Sequence, residues 1–427
     1  MTFAEELQAR GLIERSSAEP EKMLATPRTA YLGIDPTADS LHVGHLVPIL
    51  LMKRLGGAGH KLIFLIGGAT GEIGDPKEKG ERPMLDAKTV TANARALKAQ
   101  LKNLLGRGAS FKMVDNADWL AEAKLLPFLR EVGKHFTVND LIKRDLVKKR
   151  VEAPDESISY AEFSYSLLQA LDYLTLYQKY ACDLQVGAAD QWTNILSGVD
   201  LIHKKLGKEV YAITAPLITD SAGKKFGKSE GNAVWLDAKK TSPFKFYQFW
   251  INLPDADIEH YLNVYTFLPL VEIAALIELH RRSPGERQAQ ETLARLVTET
   301  VHGPAAVAQA AAATDALFGE TPFGELSRET PFGELSREAR EVALAEAPSV
   351  TLVKKDVADG SPLAEALVKG GLASSKGDAR RLITGKGITL SGQTITDPDQ
   401  KVFNGDFSNG YALVRKGKQG VLILVLK

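Results

Sequence analysis

The chain has 427 residues, 44% hydrophobic and 25% charged, with 53 Lys and Arg balanced by 53 Asp and Glu. That length exceeds a single hydrophobic core and predicts two or three domains, while zero net charge excludes a chain that coats nucleic acid over its whole surface. Cys182 is the one cysteine, which rules out an intrachain disulfide or a cysteine metal cluster and fits a reducing compartment.

The first residues, Met1-Thr2-Phe3-Ala4-Glu5-Glu6, are acidic and helical, with no basic region leading into an apolar one. No run approaches the roughly 18 apolar residues of a membrane span, so a cytoplasmic protein without a membrane segment is expected. From residue 31 to about 215, short apolar or β-branched runs alternate with helical stretches. Strands are predicted over 31–34, 62–66, 111–114, 184–186 and 210–214, with room for a helix between each pair. This is the pattern of βαβ units and a mostly parallel sheet, whose ligands bind beyond the strand C-termini.

The groups capable of chemistry fall there. Asp35-Pro36-Thr37 breaks the first strand, and 41–55 has helical apolar spacing. At that turn stands His42-Val43-Gly44-His45. Gly44 would leave the helix N-terminus bare, so that backbone N–H groups, the helix dipole and two imidazoles converge on a phosphate. Gly67-Gly68-Ala69-Thr70-Gly71 follows the second strand and leads to Gly74-Asp75-Pro76. On a helix, Tyr165, Gln169 and Asp172 are spaced i, i+4 and i+7 and share one face; by itself such a stripe also fits the solvated side of an amphipathic helix. Asp190-Gln191-Trp192 comes after the fourth strand. Lys225-Phe226-Gly227-Lys228-Ser229 sets two ammonium groups three residues apart beside Gly223 and Gly227, on a loop able to close over a triphosphate. Together the two basic motifs point to a carboxylate activated by ATP.

Residues 242–347 read as helical. Within them Glu320–Arg328, ETPFGELSR, is repeated letter for letter by the next nine residues; two short copies cannot build a solenoid, and the duplication reads as a tolerated one near a surface linker. From about 350 the chain reads as a small α+β module. It has helices over 363–370 and 375–384, the second capped by Ser374 or Ser375 and carrying Lys376, Arg380 and Arg381. Strands follow over 388–390, 411–414 and 421–426. Residues 351–427 hold 12 Lys/Arg against 7 Asp/Glu, a net +5 on a body of −5, which suits a phosphate-bearing macromolecule docked at one end.

In this order and separation the two basic motifs resemble those of the class I aminoacyl-tRNA synthetases. With Tyr31, Asp35-Pro36-Thr37, the glycine turn, the Tyr165/Gln169/Asp172 face and Asp190-Gln191-Trp192, the chain from about residue 31 to its end resembles the bacterial tyrosyl-tRNA synthetase family. The resemblance implies an α/β fold: a Rossmann-like parallel-sheet catalytic domain over 1–241, an α-helical anticodon-side domain with linker over 242–349, and a small basic RNA-binding domain over 350–427, similar to a ribosomal small-subunit protein module. It implies that L-tyrosine is activated by ATP with Mg²⁺ to tyrosyl adenylate and passed to tRNA(Tyr) by a homodimer, with no prosthetic group or protein-held metal. Tyr31 and Asp172 would take the phenolic hydroxyl. Thr70, Asp75, Tyr165 and Gln169 would surround the ammonium, and Asp190 and Gln191 the ribose and carboxyl region. Gly33 and Asp35 would line the ATP side. His42, Gly44, His45, Lys225, Lys228 and Ser229 would grip the triphosphate, joined by the basic pair Lys79 and Arg82; Lys376, Arg380 and Arg381 would meet RNA. Ala188 and Ala189 stand where the family usually has Gly and Ser; if residue 188 required a positive φ, Ala would cost roughly 1 kcal/mol. Two competing readings are a small nucleotidyltransferase sharing the His-x-Gly-His turn, which predicts no amino-acid helix and no RNA module, and a synthetase-like protein that only binds RNA, which predicts loss of some of His42, His45, Asp172 or Lys228.

Overall fold

The computed structural model describes the chain apart from residues 78, 79, 81, 82, 107, 109, 220–232, 319–331, 418 and 419, and the side chain of residue 145. It divides into two compact units: Met1–Thr241 with Glu259–Ile273, and Ser242–Ile258 with Ala274–Lys427.

In the first unit, β-branched and leucine-rich runs form a six-stranded sheet. Its strands are β1 (Arg15–Ser16), β2 (Thr29–Ile34), β3 (Lys61–Ile66), β4 (Phe111–Asp115), β5 (Leu184–Ala188) and β6 (Tyr211–Ala215). The order is β1-β6-β5-β2-β3-β4, with β1 antiparallel to β6 and every other pair parallel. The chain runs outward through β2, β3 and β4, then returns past β2 to lay down β5 and β6. The order therefore reverses between β2 and β5, where a parallel sheet opens its ligand crevice. Helix α1 (Val43–Gly57) is apolar on nearly all sides, and Leu46, Val47, Ile49, Leu50, Leu51, Met52 and Leu55 are buried, as expected of a core helix. Helix α2 (Ala87–Leu105) starts where Asp86 Oδ1 accepts from Thr89 N at 2.7 Å. Helix α3 (Tyr160–Tyr180) is capped by Ser159 and packs Leu167, Ala170, Tyr173 and Leu174 into one apolar cluster with Tyr31, Ile63 and Leu65 of the sheet. Helix α4 (Trp192–Leu206) adds Leu201 and Ile202 to that cluster. Its Gly198 is needed for the close approach to α3: a Cβ there would sit 2.7 Å from the Tyr173 ring.

In the second unit, helices Pro243–Ile251, Gln288–His302, Pro304–Phe318 and Arg337–Glu346 accompany a five-stranded sheet. Its order is Gln393–Thr394, Ile388–Leu390, Tyr411–Lys416, Gly420–Leu426, Ser349–Leu352, antiparallel except for the last pair. Strand alternation serves two cores. Ala412, Val414, Leu422 and Leu424 pack with the helices Leu363–Lys369 and Lys376–Thr384, whereas Leu413, Val421 and Ile423 pack with Phe244, Ala313, Leu317, Ala339 and Ala343. The α/β class, the parallel sheet and the small α+β module all appear as the sequence pattern predicts, each predicted strand lying within two residues of an observed one. The second copy of the duplication ends in described chain, a short turn over Phe332–Glu334 and the Ser336 cap of the following helix; the first lies outside the described residues.

Candidate active site

The crevice at the sheet's reversal collects polar side chains from four strand ends. Tyr31 projects from β2 into the apolar cluster, fully buried, its ring 5.2 Å from that of Tyr173. Its hydroxyl is buried without a hydrogen-bond partner among the described residues, a condition that costs about 1–3 kcal/mol and that a ligand would relieve. Asp172 on α3 is 2% exposed; its Oδ1 accepts from Trp119 Nε1 at 2.8 Å and its Oδ2 from Asn116 Nδ2 at 3.0 Å. Burial pushes this carboxyl up to about 8, against the pull of those two hydrogen bonds. Burial, with the Asp172 charge as the second cause, also holds the Tyr31 phenol well above its ordinary value.

From Asn116 the hydrogen bonds run on without a break. Its Nδ2 also donates to Thr70 Oγ1 at 2.8 Å, and its Oδ1 accepts from Ala69 N at 2.9 Å. Thr70 donates to Asp35 Oδ1 at 2.7 Å, and the Tyr165 hydroxyl donates to Asp35 Oδ2 at 2.7 Å. Asp35, expected on the ATP side, thus also orients Tyr165 of the expected amino-acid face. Gly67 makes this possible, because a Cβ there would collide with the Asp35 carboxylate and 2.4 Å from Thr70 Oγ1 it would have no room. Gly33 presents exposed backbone at the end of β2.

Asp75 receives Gln191 Nε2 at 2.7 Å and Asn194 Nδ2 at 2.9 Å, and burial raises its carboxyl to about 6. The Gln169 Oε1 atom is buried without a partner among the described residues. A carboxylate and an unpaired amide oxygen beside Tyr165 form an acceptor set suited to an ammonium group. Asp190 is exposed on a short turn, Ala189–Gln191. Ala188 has φ −84° and ψ 163°, ordinary extended backbone, so the replacement of a family glycine carries no strain.

The His-x-Gly-His turn caps α1. His42 Nδ1 accepts from Gly44 N at 3.0 Å and His45 Nδ1 from the His42 N–H at 3.2 Å, with ring centroids 3.9 Å apart. Both Nδ1 atoms being acceptors, each neutral ring carries its proton on Nε2 as a donor. A Cβ on Gly44 would lie 2.9 Å from the His42 ring. Lys79, Arg82, Lys225, Lys228 and Ser229 lie outside the described residues. The chain beyond the second motif returns to the first: Val43 N donates to Val234 O at 3.0 Å, Leu236 N to Leu41 O at 2.8 Å, and His42 bridges to Trp235. In the second unit Lys376, Arg380 and Arg381 are exposed, each in an ion pair, with Glu365 at 2.6 Å, Asp399 at 2.8 Å and Asp378 at 2.7 Å respectively. Among the described residues no group of three or more His, Cys, Asp or Glu could hold a metal ion. Sequence reasoning missed Asn116, Trp119 and Asn194. Asn116 carries a usable signal, a polar residue one step past β4; the other two have none beyond their distance from it and from Gln191.

A parallel sheet reversing at β2/β5, with a histidine-capped helix on one side of the crevice and a polar face on α3 across it, is the architecture of a class I synthetase. The description "tRNA synthetases class I (W and Y)" matches residues 23–319, and "Tyrosine--tRNA ligase SYY-like C-terminal domain" matches 338–424. The chain is 44% identical to the tyrosine--tRNA ligase of Roseiflexus castenholzii over 98% of both proteins, and 43% identical to tyrosine--tRNA ligase 1 of Vibrio parahaemolyticus over 97% of this chain and 96% of that one. A C-terminally truncated mitochondrial tyrosyl-tRNA synthetase from Coccidioides posadasii superposes with a TM-score of 0.64 at 32% identity, covering 73% of this chain and 91% of its own. The chain belongs to the class I tRNA synthetases of the tryptophan and tyrosine type.

Proposed function

We propose that this chain activates L-tyrosine with ATP and transfers the tyrosyl group to tRNA(Tyr), and that the buried Tyr31 hydroxyl next to Asp172, unpartnered among the described residues, is the phenol-recognition point. The orphaned hydroxyl is the observation that carries the assignment. Asp75, Gln169, Tyr165 and Thr70 hold or orient the ammonium, and Gln191 and Asp190 serve the carboxyl and ribose. In the first step the tyrosine carboxylate attacks the α-phosphorus of ATP, a C–O–P bond forms, and the bond to pyrophosphate breaks. No base is needed, since the carboxylate is ionised at neutral pH. The Nε2–H donors of His42 and His45, with Lys225, Lys228, Lys79 and Arg82, bind the phosphates as charge shifts onto them. Mg²⁺ arrives with ATP as part of that substrate. In the second step a hydroxyl of the terminal ribose attacks the acyl carbon, loses its proton, and AMP leaves.

Residues 1–241 carry the chemistry, and 242–349 and 350–427 serve tRNA, with Lys376, Arg380 and Arg381 exchanging their surface carboxylates for phosphates. Such exposed pairs contribute about 0–1 kcal/mol and are easily displaced. A homodimer is supported by the exposed Leu125, Leu126, Leu129, Val138 and Ile142 between β4 and β5. We assign the chain to the cytoplasm; no described helix is long and apolar enough to cross a membrane. Equilibrium binding of tyrosine and phenylalanine tests the phenol assignment. Phenylalanine leaves the Tyr31 hydroxyl unpaired and should bind at least roughly tenfold more weakly; equal affinities would refute the assignment.

A further inference from the structure

Arg150, in the helix Asp145–Glu152, is a guanidinium only 1% exposed, in a part of the fold that none of the ligand-binding motifs includes. Its Nη1 donates to Lys77 O at 3.1 Å and Gly80 O at 2.9 Å. Its Nη2 donates to Ser157 O and, at 3.4 Å, to Glu162 Oε2, and its Nε lies 3.1 Å from Glu156 Oε2. Glu156 Oε2 in turn accepts from Gly80 N at 2.9 Å. Glu162 is itself buried in the first turn of α3, three residues before Tyr165. One cation thus ties two points of the chain leaving Asp75 to the helix that carries Tyr165, Gln169 and Asp172. The same stretch is fixed at its start by Gln191 and Asn194 on Asp75. Surface packing does not require such an arrangement: five donors in a rigid fork, buried among carbonyls and two carboxylates, define one geometry.

We propose that Arg150 is a positioning residue for adenylate formation, holding the backbone at Lys77 and Gly80 in fixed register with Glu162 on α3. It touches no substrate. Its effect falls on the step in which the carboxylate and the α-phosphorus must meet in line, where a small displacement costs rate more than affinity. The inference rests on the activity proposed above.

Three variants test it in the full-length chain: Arg150→Lys, Glu156→Ala and Glu156→Gln. Each is assayed for thermal unfolding, equilibrium tyrosine binding and single-turnover adenylate formation. Because removal of a buried guanidinium could impair folding, Glu156, whose side chain is 24% exposed, supplies the decisive pair. Glu156→Ala deletes the acceptor for Gly80 N and should slow adenylate formation by roughly tenfold or more while tyrosine affinity stays within about threefold. Glu156→Gln keeps an oxygen acceptor and should restore most of that rate. Arg150→Lys keeps the charge but loses the fork, and should resemble Glu156→Ala. If Glu156→Ala forms adenylate at the unaltered rate, or if affinity and rate fall together in all three variants, the inference is wrong. If the unaltered protein makes no tyrosyl adenylate, the proposed activity fails first, and that result is read separately.

Discussion

Tyr31 and Asp172 set the strongest constraint on the ligand, because both are buried and, among the described residues, only Asp172 has its side chain hydrogen-bonded. Tyr31→Phe deletes a single hydroxyl, so the preference for tyrosine over phenylalanine in exchange kinetics should fall about fivefold, on the order of 1 kcal/mol. Asp172→Ala also leaves the Asn116 and Trp119 donors without their acceptor and should cost more. Unchanged ratios in both variants would remove the pair from the pocket. Asp75 gives a pH signature. Its carboxyl, raised to about 6 by burial, must be ionised to hold an ammonium, so tyrosine affinity should fall as pH drops through that value, approaching roughly tenfold per unit below it. Asp75→Asn should flatten the profile and bind weakly throughout; an unaltered protein whose affinity is the same at pH 5 and 8 would contradict the assignment. Asp172 acts on stability with a definite sign. An unfolded carboxyl ionises near 3.8 and the folded one near 8. Between those values the folded state keeps a proton that the unfolded state has lost, so this group's contribution is present at low pH and lost as pH rises through the window. Urea unfolding of the ligand-free protein at pH 5 and pH 8 should show that loss, and Asp172→Asn should show a smaller one, leaving the part that the raised Asp75 carboxyl contributes.

The parallel sheet and its connecting helices were legible because its strands are short, mostly apolar runs followed within a few residues by Gly, Pro or Asp, as at Ile34-Asp35-Pro36 and Ile66-Gly67, with only Lys112 and Gln185 interrupting β4 and β5. The two-residue strand Arg15–Ser16 was not, since it is too short to show alternation and is defined only by its pairing with β6. At the site, the residues legible in sequence were those in repeated spacing: the two histidines of the α1 cap and the three polar residues on one face of α3. Asn116 shows only as a polar residue one step past β4, and Trp119 and Arg150 are single residues whose roles come from partners distant in sequence, more than 40 residues away for Trp119 and Asp172, so no local pattern reveals them. The α1 cap makes its own prediction. Gly44→Ala would push a methyl group against the His42 ring, and should cut adenylate formation by roughly tenfold or more with tyrosine binding intact. A normal rate would show that the His42 orientation is irrelevant to ATP. Lys228→Ala should likewise lower kcat far more than it raises the KM for tyrosine.

Across the chain, the second unit's sheet is buried on both faces, and this decides how an RNA role can be tested. A cut near Pro348 would strip Val421 and Ile423 from Phe244, Ala313 and Leu317 and leave the helices with an uncovered apolar face, so loss of charging after truncation would not isolate RNA contact. Replacing Lys376, Arg380 and Arg381 together by Ala removes only exposed ion pairs. Adenylate formation should be unchanged, tRNA affinity should fall, and the salt dependence of binding should flatten by roughly one unit of slope per lost phosphate contact. Unaltered affinity and slope would place the RNA surface elsewhere. Tyrosine activation is the reaction on which every role above depends, and ATP–pyrophosphate exchange with each amino acid supplied in turn measures it most directly. Tyrosine alone should support rapid exchange, because tryptophan and phenylalanine offer no phenol to Tyr31 and Asp172. Exchange supported better by tryptophan, or by no amino acid, would contradict it.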